Sequence, residues 1–323
     1  MGFNPDRYDK MHYRQCGKFG LKLPVISLGG WQTVGGYERE GEAKRIFYSA
    51  FDAGITHFDF ANNYGNPPGN AEIAAGKILR DMPRDELIIS SKAGYRMWPG
   101  PYGDGGSRKY IISSCDQSLK RMGLEYFDIF YHHRPDPETP LEETHGALQT
   151  LIEQGKILYA GISGYPPKLT EDTISLREKK NWFPFTIHQP IYNMFDRGIE
   201  DGLIAAAAEH GFGIITFSPL AQGRLTGKYL RGIPRGSRFH VEGARSVLTD
   251  SQLGKIQALT DIAQRRGQSL AQMALAWILR WEEITSVLTA VSRLEQLQDS
   301  LKLLDNSRFS SEELDEIEDI LSR

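Results

Sequence analysis

Short runs rich in apolar and β-branched residues alternate with longer amphipathic segments along this chain, repeatedly and in the same order. The apolar runs fall at 25–28, 57–59, 87–90, 127–131, 158–162, 186–189, 213–217 and 285–288, and they read as strands. Helical patterns fall between and after them, near 42–53, 70–80, 108–122, 141–154, 167–180, 200–210, 250–266 and 293–304. Strands alternating with helices imply right-handed crossovers and a parallel sheet. Eight of each, with no break in composition to mark a linker, predict one α/β domain over residues 1–323, a closed (β/α)8 TIM barrel. A doubly wound sheet more often has fewer strands or a second domain. Residues 12–23, with Gly17 and Gly20 between alternating runs, predict an N-terminal β-hairpin that plugs one end of the barrel. Segments 270–281 and 311–322 add extra C-terminal helices, the last opened by a capping box of Ser310 and Glu313.

Four polar residues stand at, or just past, the ends of three successive strands: Asp59, Tyr64, Lys92 and His133. In parallel α/β folds the carboxyl ends of the strands are where sites are built. Each residue alone has a bland reading, as a turn carboxylate, a packing tyrosine, a lysine reaching water or a structural histidine. Together they make chemical sense. A buried ammonium needs a carboxylate, and an ammonium beside a phenol is expected to lower its pKa from about 10 toward useful acidity. His132 and His133 point to opposite sides of a strand, and periodicity leaves open which one faces the barrel mouth.

Composition narrows the partners. Lys and Arg number 38 against 41 Asp and Glu, a net charge of −3, which argues for neither nucleic acid nor membrane binding. Two cysteines, Cys16 and Cys115, give no disulfide framework and no zinc cluster, so no metal is expected. No apolar h-region opens the chain and no stretch is long enough to span a bilayer, which predicts a cytoplasmic protein. Against the net acidity, the long segment 217–248 gathers Arg224, Lys228, Arg231, Arg235, Arg238 and Arg245 with one acid, Glu242. Loops after strands seven and eight of such barrels are frequent phosphate sites. After strand eight, Ser292-Arg-Leu-Glu295 reads as a capping box whose helix N-terminus, with Arg293, suits an anion. Gly29-Gly-Trp-Gln-Thr-Val-Gly-Gly36 lacks the order of a dinucleotide fingerprint and its acidic partner. Tyr95, Arg96, Trp98 and Tyr102 after strand three could wall a substrate pocket, with Arg96 or Arg108 for an anionic group.

Ordered motifs then give the chain a family likeness. Gly54-Ile-Thr-His-Phe-Asp-Phe-Ala-Asn-Asn-Tyr-Gly65, Ile89-Ser-Ser-Lys92, Asp128-Ile-Phe-Tyr-His-His133, Gly161-Ile-Ser163 and Phe217-Ser-Pro-Leu-Ala-Gln-Gly223 resemble the aldo-keto reductases over essentially the whole chain. Residues 98–109 and 118–125 resemble the branch that holds bacterial glyceraldehyde 3-phosphate reductases and potassium-channel β subunits. The resemblance implies NADP(H)-dependent reduction of a small-molecule aldehyde or ketone, such as glyceraldehyde 3-phosphate or methylglyoxal. It implies Tyr64 as proton donor, Lys92 and Asp59 as its support, and His133 rather than His132 as the group orienting the carbonyl. It implies cofactor contacts from Gly30, Trp31, Asp59, Ser163, Gln189 and Phe217 around the nicotinamide. Ser218, Leu220, Gln222 and Lys228 would lie along the pyrophosphate, and Ser292, Arg293, Gln296, Asp299 and Ser300 at the adenosine phosphate. Trp31, Tyr64, Arg96, Trp98 and His133 would meet the substrate.

The chain departs from common family patterns at Gly164, Ala290 and Asp299-Ser300, so a preference for NADP rests mainly on Arg293. A homo-oligomer is a family-level expectation. Two other functions remain in view, a non-catalytic NADP-binding regulatory subunit and a Schiff-base barrel lyase using Lys92.

Overall fold

Eight parallel strands close on themselves in the computed structural model, which describes residues 2–36, 41–235 and 248–323. An antiparallel pair comes first, β1 (Tyr13–Gln15) and β2 (Lys22–Pro24). The barrel strands are β3 (Ile26–Gly29), β4 (His57–Asp59), β5 (Ile88–Ala93), β6 (Phe127–His132), β7 (Ile157–Ser163), β8 (Ile187–Gln189), β9 (Gly213–Thr216) and β10 (Ile284–Thr289). Each pairs with its neighbours in sequence, and β10 returns to pair with β3. Helices α1 (Glu42–Asp52), α2 (Asn70–Leu79), α3 (Arg108–Met122), α4 (Leu141–Glu153), α5 (Pro167–Lys179) and α6 (Leu203–His210) fill the successive crossovers. Two helices, α7 (Asp250–Arg265) and α8 (Leu270–Ile278), precede β10, and α9 (Leu294–Leu301) and α10 (Ser311–Ser322) follow it. The chain is thus the expected (β/α)8 barrel with a hairpin and extra helices.

Helix packing follows from side-chain spacing. On α1 the buried residues are Ala43, Ile46, Phe47, Ala50 and Phe51, three and four apart, and Phe47 stacks on Phe58 of β4 at 5.1 Å. Capping boxes start α7 at Thr249, α8 at Ser269 and α10 at Ser310, the last as expected. The box expected between Ser292 and Glu295 does not form. Arg293 is the residue that starts α9, so the side chain reaching back belongs to Gln296, whose Oε1 accepts from the Ser292 amide at 2.9 Å. No helix among the described residues is long and apolar enough to cross a membrane.

The hairpin closes the amino-terminal end of the barrel. Cys16, Leu21 and Leu23 pack against Ile129, Tyr131, Ile187, Ile215 and Leu288 of the interior. Gly17 adopts φ 55, and a Cβ there would lie 2.2 Å from the Gly211 carbonyl oxygen just before β9, so the turn requires glycine. Arg14 donates to the carbonyls of Leu279, Trp281 and Ile284 at the start of β10. With that end plugged, the carboxyl ends of the strands form the open mouth.

Candidate active site

Asp59, Lys92, Tyr64 and His133 converge at this mouth, because β4, β5 and β6 are adjacent in the sheet. Asp59 and Lys92 are fully buried, and the Lys92 ammonium donates to Asp59 Oδ2 at 2.5 Å and to the Phe60 carbonyl at 2.7 Å. The same ammonium lies 5.1 Å from the centre of the Tyr64 ring and 5.7 Å from that of Tyr131. Burial lowers the Lys92 pKa, and the Asp59 carboxylate opposes that shift. The Tyr64 ring meets His133 edge-on with centroids 5.9 Å apart. Burial, and next the charge of His133's neighbour Lys92, push the His133 imidazole well below its usual pKa, so it is neutral.

The phenol of Tyr64 behaves oppositely to the simple expectation. Burial first, and then the Asp59 carboxylate, raise its pKa well above 10. Lys92 does not overcome this, because two of its N–H groups are engaged by Asp59 and by the Phe60 carbonyl. Tyr64 is therefore held as a protonated phenol rather than a phenolate.

The strand register separates the two histidines. Ile129 and Tyr131 belong to the barrel interior, so His133 continues the inward face and His132 points out. His132 hydrogen-bonds the Tyr165 hydroxyl through Nδ1 at 2.6 Å, and burial holds its pKa down to about 4. His145 and His188 flank the same Tyr165 ring. Asp128 is structural as well, accepting from the Ile89 amide at 2.7 Å and pairing with Arg84 at 2.8 Å.

The residues that the resemblance assigns to the nicotinamide gather around this quartet. Ser163 and Gln189 are paired in register at the ends of β7 and β8, and the Ser163 hydroxyl donates to the Gln189 carbonyl at 2.8 Å. The Gln189 amide in turn donates to Asp59 Oδ1 at 3.3 Å. Phe217, half-buried just past β9, donates its amide to the Pro190 carbonyl at 3.0 Å, which sets it beside Gln189. Gly30 donates its amide to the Asp59 carbonyl, and a Cβ there would strike the Phe60 ring at 2.5 Å. Trp31 beside it is 41% exposed. Ser218, Ala221 and Gln222 all have positive φ, which is uncommon for non-glycine residues. Gly223 has room for Lys228 to fold over it, and a Cβ would stand 2.6 Å from the Lys228 ammonium. Leu220 is half-buried.

Farther along, Ser292, Arg293 and Gln296 form the exposed start of α9. Asp299 and Ser300 are engaged inside the protein. Asp299 accepts from Gln272 at 2.6 Å and from Ser269 at 3.1 Å, and Ser300 donates to the Gln296 carbonyl. Of the cationic loop, Arg224, Lys228, Arg231 and Arg235 are described, while Arg238, Glu242 and Arg245 lie outside the described residues.

The loop after β5 differs in part from its expected role. Tyr95, rather than Trp98, meets His133, edge-on with centroids 4.6 Å apart. Trp98 instead leans on the buried Tyr110 ring at 5.3 Å. Arg108 points away from the mouth and donates to the Gly146 carbonyl and Thr150 hydroxyl of α4, so it is unavailable to a substrate. Arg96 is exposed. Arg134, which the sequence did not single out, lies beside this loop: its guanidinium stacks on Tyr95 at 4.6 Å and donates through Nε to the Gly94 carbonyl. Its position directly after His133 was the available signal. Cys16 is buried and its thiol is pushed up to about 12, so it offers no nucleophile. Among the described residues no three His, Cys, Asp or Glu side chains gather as a metal site.

A closed parallel barrel with this quartet at its mouth defines a class, and comparison with known proteins agrees: residues 25–322 match the Aldo/keto reductase family. The chain belongs to that family and is an oxidoreductase. It is 53% identical to "L-glyceraldehyde 3-phosphate reductase" of Escherichia coli K12 over 326 residues, covering 98% of this chain and 94% of that protein. It is 37% identical to "Probable voltage-gated potassium channel subunit beta" of Arabidopsis thaliana over 305 residues, covering 91% of this chain and 92% of that protein.

Proposed function

We propose that this protein reduces small aldehydes with NADPH and that L-glyceraldehyde 3-phosphate is a substrate. The observation that supports this best is the buried Asp59–Lys92 pair set beneath a protonated Tyr64, with a neutral His133 alongside. The carbonyl oxygen would sit between the Tyr64 hydroxyl and the His133 ring. A bound NADPH would supply the hydride from its nicotinamide carbon 4. As the carbonyl oxygen takes on negative charge it becomes a stronger base than a phenolate, and the Tyr64 hydroxyl gives it a proton. The Lys92 ammonium beside the ring stabilises the phenolate left behind, and Asp59 fixes the ammonium. His133, being neutral, donates one hydrogen bond that orients the carbonyl without competing as a stronger acid.

The chain's residues fit the cofactor. Ser163 and Gln189 stand at the paired ends of β7 and β8, the Phe217 amide bonds the carbonyl of Pro190 that follows them, and Arg293 at the start of α9 suits a ribose phosphate. At the substrate end Arg96 and Arg134 put positive charge at the mouth, in keeping with an anionic aldehyde.

The test is consumption of NADPH by the purified protein with both glyceraldehyde 3-phosphate enantiomers, methylglyoxal and aromatic aldehydes. The L-enantiomer is expected to turn over fastest. Arg293→Ala should raise the KM for NADPH roughly tenfold or more while leaving that for NADH unchanged, as loss of a charge-assisted hydrogen bond predicts. NADPH binding without turnover of any aldehyde would favour a regulatory subunit instead.

A further inference from the structure

Behind the catalytic pair, a line of hydrogen bonds crosses the barrel core. Ser286 of β10 contacts Ser27 of β3, hydroxyl to hydroxyl, at 2.7 Å. Ser27 Oγ lies 2.9 Å from His57 Nδ1, and His57 Nε2 lies 2.9 Å from Ser90 Oγ of β5. Ser90 Oγ donates to Asp59 Oδ1 at 2.6 Å, while Asp59 Oδ2 faces Lys92. All six residues are fully buried. His57 and Asp59 are two apart on β4, and Ser90 and Lys92 two apart on β5, so all four share the interior face.

The direction of every proton in this line follows from its last member. A carboxylate paired with an ammonium can only accept, so the Ser90 hydroxyl hydrogen is committed to Asp59. Ser90 Oγ must then accept from His57, which requires the hydrogen on Nε2. Burial pushes the His57 pKa down to about 4, so the ring is neutral and Nδ1 carries a lone pair. Ser27 therefore donates to Nδ1 and accepts from Ser286. One tautomer of His57 satisfies the whole line.

We propose that His57 is a positioning residue for the reduction: held in its Nε2–H tautomer, it locks the Ser90 hydroxyl onto Asp59 and so keeps Asp59 Oδ2 turned to Lys92 beneath Tyr64. Without the donor at Nε2, the Ser90 hydroxyl is free to rotate away, and the carboxylate loses one of the two side-chain donors to Oδ1, the other being the longer contact from Gln189. The proposal rests on the reading that Asp59, Lys92 and Tyr64 perform carbonyl reduction.

Two nearly isosteric variants test it. In His57→Gln the amide nitrogen takes the place of Nε2 and still donates to Ser90, whereas in His57→Asn the amide reaches only the Ser27 side. His57→Gln should keep kcat within a few-fold of wild type. His57→Asn and Ser90→Ala should each lose roughly tenfold or more in kcat, the size of other supporting-partner losses, with the Kd for NADPH unchanged. The double variant His57→Asn/Ser90→Ala should be no worse than Ser90→Ala alone, because His57 acts through Ser90. Equal kcat in the Gln and Asn variants, or losses that multiply in the double variant, would overturn the proposal. Nitrogen-15 shifts of His57 in the wild-type protein give a readout independent of turnover. A protonated Nε2 with an accepting Nδ1 at neutral pH is expected, and an Nδ1–H tautomer would refute the line even if the reductase reading stands. Absence of aldehyde turnover in wild type would instead defeat the reductase reading and leave that spectrum unaffected.

Discussion

Tyr64→Phe should cut kcat for aldehyde reduction by about a thousandfold, within the range for loss of a positioned general acid. The argument rests on how little else the change removes. The ring remains, with its edge contact to His133 and its place 5.1 Å from the Lys92 ammonium. What goes is a single hydroxyl, which burial and Asp59 keep protonated. The carbonyl oxygen then has no phenol to take a proton from, and neutral His133 is left as its one donor. NADPH binding, followed by quenching of tryptophan fluorescence, should stay within a few-fold of wild type, because the Tyr64 hydroxyl is not among the proposed cofactor contacts. Turnover near the wild-type rate would remove Tyr64 from the mechanism.

The second large effect concerns the pair beneath it. Asp59→Asn leaves the Lys92 ammonium buried with only a carbonyl partner, and Lys92→Met leaves the carboxylate without its counter-charge. Each single change should destabilise the fold by about 3–5 kcal/mol, as removal of one member of a buried pair does. Combining them removes both charges, so Asp59→Asn/Lys92→Met should be more stable than either single variant in urea unfolding. Activity should not return with stability, since the proton donor has lost its electrostatic support. A double variant less stable than both singles would show that the pair is held by something other than mutual neutralisation.

Much of this was legible in the sequence, for physical reasons that differ by residue. The barrel was readable because strand and helix periods alternate eight times, and Asp59, Lys92 and His133 because a parallel barrel brings successive strand ends together. The choice of His133 over His132 needed the interior face, which Ile129 and Tyr131 reveal only once the barrel is closed. Arg108 could not be placed, because a charged residue at a helix start reads the same whether it faces the mouth or α4. The contacts of Asp299 depend on α8 and α9 packing together, a contact between segments with no shared pattern. For Tyr64 the simple pairing rule chose the wrong sign. An ammonium beside a phenol lowers its pKa in the open, but here burial of the phenol and the charge of the Asp59 carboxylate outweigh it. The line through His57 was not legible, since His57-Phe-Asp59 and Ser90-Ser-Lys92 show the spacing but not that Ser27 and Ser286 join them on the interior face.

The most direct test of the central claim is where the hydride goes. Wild-type protein, L-glyceraldehyde 3-phosphate and NADPH carrying deuterium at nicotinamide carbon 4 should give a product with deuterium on its new alcohol carbon. One face of the nicotinamide alone should be used, as expected for a cofactor held in a fixed slot. Product without deuterium, or a substrate adduct trapped on Lys92 by borohydride in the absence of nicotinamide, would contradict the account.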